Sequence, residues 1–247
     1  MLDLTFAPDR TAKIFSKLAK IDLMANFTLI GGTALSIQIG HRLSEDLDFW
    51  VPAEKMSGSQ IDQIVDSLRT TGSNVQLATP AWKITQAKIN GQDLLSISRD
   101  YVVDGVKLTF FSRNDAPYLH FSKMSKVQDS LTAFNIMSFE AIFEMKSWLI
   151  SQRIRSRDLF DLMIMLQTRA KTVRDILEAG ELADVSYSRE YAKEVLLGNV
   201  PLDGNDEGFE SIDLKTNIQD IYQYFAEQIA KYEQDVATEI LGTSTAD

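Results

Sequence analysis

Asp46 and Asp48 stand two residues apart in "DLDFWV", a stretch that alternates polar and apolar residues as a half-buried strand does. On a strand they share one face, with Cα atoms roughly 6.5 Å apart. Such a pair can converge on one or two hard cations, whose preferred ligands are oxygens. Without a cation or a basic partner the carboxylates repel, and one of them holds its proton to higher pH. Upstream, Gly31-Gly32 ends the apolar run "FTLI" and opens "TALSIQIG", a two-turn helical pattern closed by Gly40. Backbone amides at such a helix start, with no Cβ in the way, can approach a phosphate closely. One element could then hold an anion and its neighbour the cations that neutralise it, which is what phosphoryl chemistry needs. Each feature alone has a plainer reading, the glycines as a turn and the aspartates as a solvated strand face. Their combination points to a site.

The elements that must position these residues are legible in outline. "RTAKIFSKLAKIDLM", residues 10–24, has helical spacing, with Asp9 placed to cap it. "FTLI" reads as a short buried strand, and "SGSQIDQIVDSLRTTG" as a helix with a serine-rich start. Between residues 75 and 111 the period changes. "VQLAT", "KITQAKI", "DLLSISRDYVV" and "VKLTFF" read as strands, with a hairpin turn at Asp104-Gly105. From about residue 116 the pattern is helical, starting with "SFEAIFEMKSWLISQR" and ending with "NIQDIYQYFAEQIAKYEQDVATEIL". Residues 199–214 read as an exposed loop and "GTSTAD" as a frayed tail. We therefore expect an α/β (α+β) protein: a mixed-sheet domain over residues 1–115 and a helical domain over residues 116–247.

Composition excludes several chemistries. The 247 residues contain no cysteine, which removes disulfides, thiol catalysis and thiolate metal sites. His41 and His120 are the only histidines, too few for a multi-histidine zinc cluster. There is no Gly-x-Ser-x-Gly elbow and no Walker-A loop. A net charge of −10 argues against a broad, salt-driven grip on nucleic acid, although Lys and Arg are locally dense in "KSWLISQRIRSR". No run approaches the ~20 apolar residues of a membrane span, and the N-terminus lacks a signal-peptide core. We expect a cytoplasmic protein with no membrane partner.

An apolar residue, Gly-Gly, thirteen residues, then Asp-apolar-Asp-apolar is similar to the signature of polymerase-β-like nucleotidyltransferases. The fuller run "GGTALSIQIGHRLSEDLDFW" resembles the AbiEii/AbiGii-type nucleotidyltransferase family of abortive-infection and type IV toxin–antitoxin systems. "MKSWLISQRIRSRDLFDLMIML" is similar to that family's later Lys…Arg…Arg-Asp-x-x-Asp segment, here Lys146, Arg153, Arg157, Asp158 and Asp161.

The resemblance implies a polymerase-β-like core and a helical domain that completes the nucleotide site. It implies transfer of an NMP from an NTP to a hydroxyl or phosphate acceptor, RNA or tRNA among the candidates. A toxin role with a cognate antitoxin goes with it. Asp46 and Asp48 would bind Mg²⁺ or Mn²⁺. Gly31, Gly32 and Thr33 would contact the phosphates, and Lys146 would reach them from the helical half. Asp158 would be a further catalytic residue, although it also suits a helix first turn if Ser156 is the cap. Lys146 also fits a lysine that runs its stem along a helix into water, and Arg157 stands four residues before Asp161, a spacing that suits an ion pair. Arg42 could bind phosphate or brace the aspartates, His41 could be a base but reads more readily as an ordinary loop histidine, and Ser44 as a turn residue. One departure matters: many superfamily members carry a third carboxylate on a later strand. Here "VKLTFF" presents Lys107, Thr109 and Phe111 on one face and no acid on either. Asp100 or Asp104 could substitute; failing that, the chain would be a degenerate nucleotide-binding or protein-interaction module.

Overall fold

The computed structural model describes residues 3–127, 129, 131–209, 214 and 216–243. Part of the expected loop, residues 210–213, and the tail residues 244–247 lie outside the described residues. Contacts divide the chain into Met1–Ile142 and Phe143–Asp247. The sequence reading put the change of character near residue 115. The first unit extends further because residues after 115 still supply two strands to its sheet.

That sheet has seven strands: β1 (Thr28–Ile30), β2 (Leu47–Val51), β3 (Val75–Leu77), β4 (Ser98–Val103), β5 (Val106–Ser112), β6 (Lys126–Val127) and β7 (Asn135–Met137). Their order is β3-β4-β5-β2-β1-β7-β6. β1 runs antiparallel to β2 and parallel to β7, and β2 runs parallel to β5. Leu47 and Phe49 on β2, Leu108 and Phe110 on β5, and Val103 on β4 are fully buried on one face. Phe49 stacks on Phe110 at 5.8 Å and meets Phe134 edge-on at 4.9 Å. Helices α1 (Asp9–Leu18) and α3 (Gly58–Thr70) bury Ile14, Phe15, Leu18, Ile61, Ile64 and Leu68. The opposite face of the sheet carries Asp48, Thr109 and Asp100, all half-buried.

The β4–β5 hairpin forms as expected. Asp104 (φ 49°) and Gly105 (φ 82°) both take left-handed backbone, as a two-residue type I′ turn requires. Three local expectations change. Asp9 is the first residue of α1 rather than its cap, the cap position being Pro8, and α1 stops at Leu18. "KITQAKI" lies in a helix, α4 (Ala81–Ile89), entered from Pro80. Its Ile and Thr residues favour a strand, but β3 already occupies the open edge of β4. In "DLLSISRDYVV" a single helical turn, α5 (Leu94–Ile97), precedes the strand. The helix that follows Gly31-Gly32 is α2 (Gly31–Ile39), closed by Gly40 at φ 63°. α6 (Ala116–Ser122) completes the first unit, and α7 (Phe139–Leu149) spans the division.

The second unit is helical: α8 (Ser156–Arg169), α9 (Val173–Ala183), α10 (Arg189–Leu196) and α11 (Ile218–Thr243). Leu159, Leu162, Ile176, Leu177, Val195, Ile221 and Phe225 form its core. A capping box of Thr172 and Asp175 starts α9. Ser156 is not the cap of α8. The helix begins there, and the Ser156 amide donates to Asp206 Oδ1 at 3.0 Å, so the cap comes from a distant loop. Among the described residues no helix is long and apolar enough to cross a membrane.

Candidate active site

In the first unit, β1 turns into α2 at Gly31, whose φ of +75° is a backbone state that a side chain strains. A Cβ on Gly31 would lie 3.4 Å from Asp48 Oδ2, so the carboxylate rests against bare backbone. A Cβ on Gly32 would strike the guanidinium of Arg42. The residue at the cap position of α2, Ile30, makes no side-chain hydrogen bond to the helix start. Arg42 is 7% exposed and donates through Nη1 to the Leu43 carbonyl at 2.9 Å. The guanidinium of Arg42 and the carboxylate of Asp48 thus both lie at the start of α2.

Asp46 lies one residue ahead of β2 rather than within it. The hydroxyl of Thr33 hydrogen-bonds the Asp46 carbonyl and stands 2.8 Å from Ser44 Oγ. Thr33 is 2% exposed, and its hydroxyl ties α2 to the backbone entering β2. Ser44, read as a turn residue, is buried in the same contact. His41, also in this loop, is half-buried.

Asp48 pairs with Ile30 on β1 and with Thr109 on β5, and Thr109 pairs with Asp100 on β4. Directly paired residues share a face, so Asp48, Thr109 and Asp100 form one row. The ladder counted back from Asp104-Gly105 could have paired 100 with 109 in advance; the placement of β2 beside β5 could not. Asp104 is excluded from the row. It stands at the hairpin turn, about 13 Å along the strand from Asp100. There its carboxylate accepts the Asn74 amide at 2.8 Å, a bond that holds it below the usual carboxylate range.

The second unit holds the other constellation. Lys146 Nζ lies 2.7 Å from Asp158 Oδ1 and 2.8 Å from Asp161 Oδ2. Arg153 Nε lies 3.0 Å from Asp158 Oδ2. Lys146, Asp158 and Asp161 are 4%, 5% and 0% exposed, so Lys146 does not snorkel into water. Burial opposes charge on Lys146, but the two carboxylates outweigh it and hold the ammonium above the usual lysine value. Burial likewise pushes Asp158 up, yet Lys146 and then Arg153 prevail and hold it below the usual carboxylate range. Arg157 extends to Glu207 Oε2 at 2.8 Å and donates to the Gly208 carbonyl. Asp158 sits in the first turn of α8, as expected.

Divalent metal can be tested against these residues. Among the described residues no group of three or more His, Asp or Glu is poised to hold an ion. The Asp48 carboxylate is set against Gly31, and Asp46 stands two residues before it, just ahead of β2. Mg²⁺ is commonly bound by one or two carboxylates, with phosphate oxygens and waters completing the shell. The residues fit that mode.

A carboxylate set against a glycine at the start of a helix, on such a sheet, suits a class, the enzymes that move nucleotidyl groups. Comparison with known proteins narrows it. The model of the family described as nucleotidyl transferase AbiEii toxin, Type IV TA system, matches residues 13–239, and the chain belongs to that family. An uncharacterized Aquifex aeolicus (strain VF5) protein is 27% identical over 218 residues, 87% of this chain and 92% of that one. The fold is similar to that of JHP933 from Helicobacter pylori (TM-score 0.54, 15% identity, 99% of both chains). It is also similar to MenT4, the nucleotidyltransferase toxin Rv2826c of Mycobacterium tuberculosis H37Rv (TM-score 0.52, 11% identity, 87% of this chain and 82% of that one). The chain is a nucleotidyltransferase of a toxin–antitoxin family, and that family implies a nucleotide substrate and a cognate antitoxin.

Proposed function

We propose that this chain transfers an NMP from an NTP to a hydroxyl or phosphate on an acceptor, with RNA such as a tRNA 3′ end as the favoured acceptor and toxicity as the outcome. The observation that carries the reading is the Asp48 carboxylate set against Gly31 at the start of α2. Asp46 and Asp48 hold Mg²⁺ or Mn²⁺, which when bound neutralises the triphosphate and the charge that develops in transfer. The amides of Gly31 and Gly32 and the guanidinium of Arg42 receive phosphate oxygens. The acceptor oxygen forms its bond to the α-phosphorus as the bridging P–O bond breaks, and pyrophosphate leaves. The proton of a hydroxyl acceptor needs a base, and Asp100, on the row of Asp48, is our candidate in the first unit.

Lys146 and Asp158 are assigned to the same reaction as the second constellation. Two arguments support this. Burying an ion cluster is seldom the cheapest way to stabilise a fold, and strongly perturbed titratable groups gather at functional sites. An ammonium held charged by two carboxylates can exchange one of them for a phosphate without losing its balance of charge.

The test is incubation of the full chain with each α-labelled NTP, Mg²⁺ and bulk RNA. Label is expected on the RNA, with pyrophosphate released, and both are lost in Asp46→Asn and in Asp48→Asn variants that melt like the parent. Transfer that survives both substitutions overturns the assignment. Nucleotide binding without transfer to any acceptor points instead to the degenerate module, which Thr109 in the row of Asp48 would favour.

A further inference from the structure

Helix α4 is an anomaly that the transfer reaction leaves unexplained. It fully buries no residue, and only Ile84 and Ala87 are even half-buried, so it gains little from the core. It presents Trp82 at 68% exposure, whereas the other two tryptophans, Trp50 and Trp148, are 0% and 1% exposed. The ammonium of Lys83 lies 5.5 Å from the Trp82 ring centroid, and Lys88 follows on the exposed helix. No aspartate or glutamate stands between Asp66 and Asp93, although the chain as a whole carries a net charge of −10.

The helix is also tied to the row of the site. The amides of Ala78 and Thr79 both reach the Asp100 carbonyl, at 2.7 and 3.2 Å, and the Asp100 amide donates to Thr79 Oγ1 at 2.8 Å. Asp48, Thr109, Asp100 and Thr79 therefore stand on successive strands or their continuation. Three strand spacings separate the first from the last, about 14 Å. Pro80 and α4 follow at once, with Trp82 in the first turn.

We propose that Trp82, Lys83 and Lys88 form a stacking platform for an unpaired nucleotide of the acceptor RNA, a few nucleotides from the end being modified. This deepens the reading of the acceptor as RNA and rests on it. An exposed indole stacks any base, and adjacent ammonium groups meet the phosphates without reading sequence. A single strand fits better than a helical protein partner. On the face of α4 that holds Trp82 and Ile89, the intervening Thr85 and Gln86 are polar and exposed, so no continuous apolar stripe exists. The platform also answers the charge objection, because the grip is local and the lysines sit in a segment free of acids.

Since Trp82 is the exposed one of three tryptophans, its emission reports the contact directly. The full chain is titrated with a short unstructured oligoribonucleotide, with its blunt duplex and with an acidic peptide, and fluorescence is followed. We expect quenching by the single strand. Trp82→Leu and Trp82→Phe remove the reporter, so their binding is read by anisotropy of an end-labelled oligoribonucleotide; in Trp82→Leu affinity falls roughly 5- to 150-fold, the range for one stacked base. Trp82→Phe, which keeps an aromatic face, retains most of the affinity. Lys83→Ala with Lys88→Ala weakens binding and flattens its salt dependence. Equal quenching by the duplex, quenching by the peptide, or no quenching at all overturns the platform. Labelled transfer separates this proposal from the catalytic one. Quenching without NMP transfer leaves the platform standing and removes the reaction, whereas transfer with an unchanged KM for RNA in Trp82→Leu removes the platform alone.

Discussion

Replacing Lys146 with methionine keeps the length and most of the volume of the side chain and removes its charge. Lys146 meets Asp158 and Asp161 at 2.7 and 2.8 Å, with all three side chains at most 7% exposed. Breaking a buried pair from one side costs about 3–5 kcal/mol, because the remaining charge keeps its desolvation penalty. Arg153 still reaches Asp158, but its side chain is 41% exposed, so it offsets on the order of 1 kcal/mol or less. We therefore expect a loss of about 3–5 kcal/mol at neutral pH. That is a large part of the ~5–15 kcal/mol that typically holds a domain together.

The pH dependence is the sharper signature. In the parent, Asp158 is held below its ordinary value. Its contribution is therefore present above the unfolded carboxylate value near ~3.9 and lost as pH falls through the lower folded one. Lys146 is held above its ordinary value. Its contribution is full below the unfolded value near ~10.4 and lost as pH rises through the higher folded one. Between those limits the cluster adds no slope. In Lys146→Met, two carboxylates share a dry site and take up a proton more readily folded than unfolded, so stability rises as pH falls from neutrality toward the carboxylate range. Urea unfolding followed by circular dichroism at several pH values reads both effects. The double variant Lys146→Met with Asp161→Leu should recover much of the loss, since an apolar pair leaves less charge stranded. A single variant less than about 1 kcal/mol weaker than the parent, with no change of slope, would refute the account of a buried ion cluster.

Two further outcomes follow from the first unit. Gly32→Ala should cut transfer by at least about tenfold while the melting temperature moves little. The new methyl displaces the far end of the Arg42 side chain, which can give way, and takes the guanidinium from the phosphate cradle; an NTP titration should show the weakened binding. Asp100→Asn should lower turnover with NTP affinity unchanged. Asp104→Asn should leave turnover intact and lower stability modestly, because that carboxylate serves the Asn74 amide. Equal activity losses in the two aspartate variants would argue against a role for Asp100 in the row of Asp48.

Local pattern was enough for much of this molecule. The strand of Asp48, the helix opened by Gly31 and closed by Gly40, the Asp104-Gly105 turn and most of the helical half each follow from short-range spacing. The errors lie where burial does not arbitrate. α4 fully buries no residue, so no core contact decided against the strand that its Ile and Thr residues suggested. The cap of α8 comes from Asp206, fifty residues away, so no local motif announced it.

The roles of side chains divided in the same way. Membership of a nucleotidyltransferase family was legible in two short motifs. The sequence did not reveal that Thr33 spends its hydroxyl on the Asp46 backbone, that Lys146 is enclosed by carboxylates, or that Asp100 shares a row with Asp48. Each depends on which strands lie side by side or which helix faces meet. Such long-range pairings are fixed by the packing of the whole sheet and bundle, and no single segment encodes them.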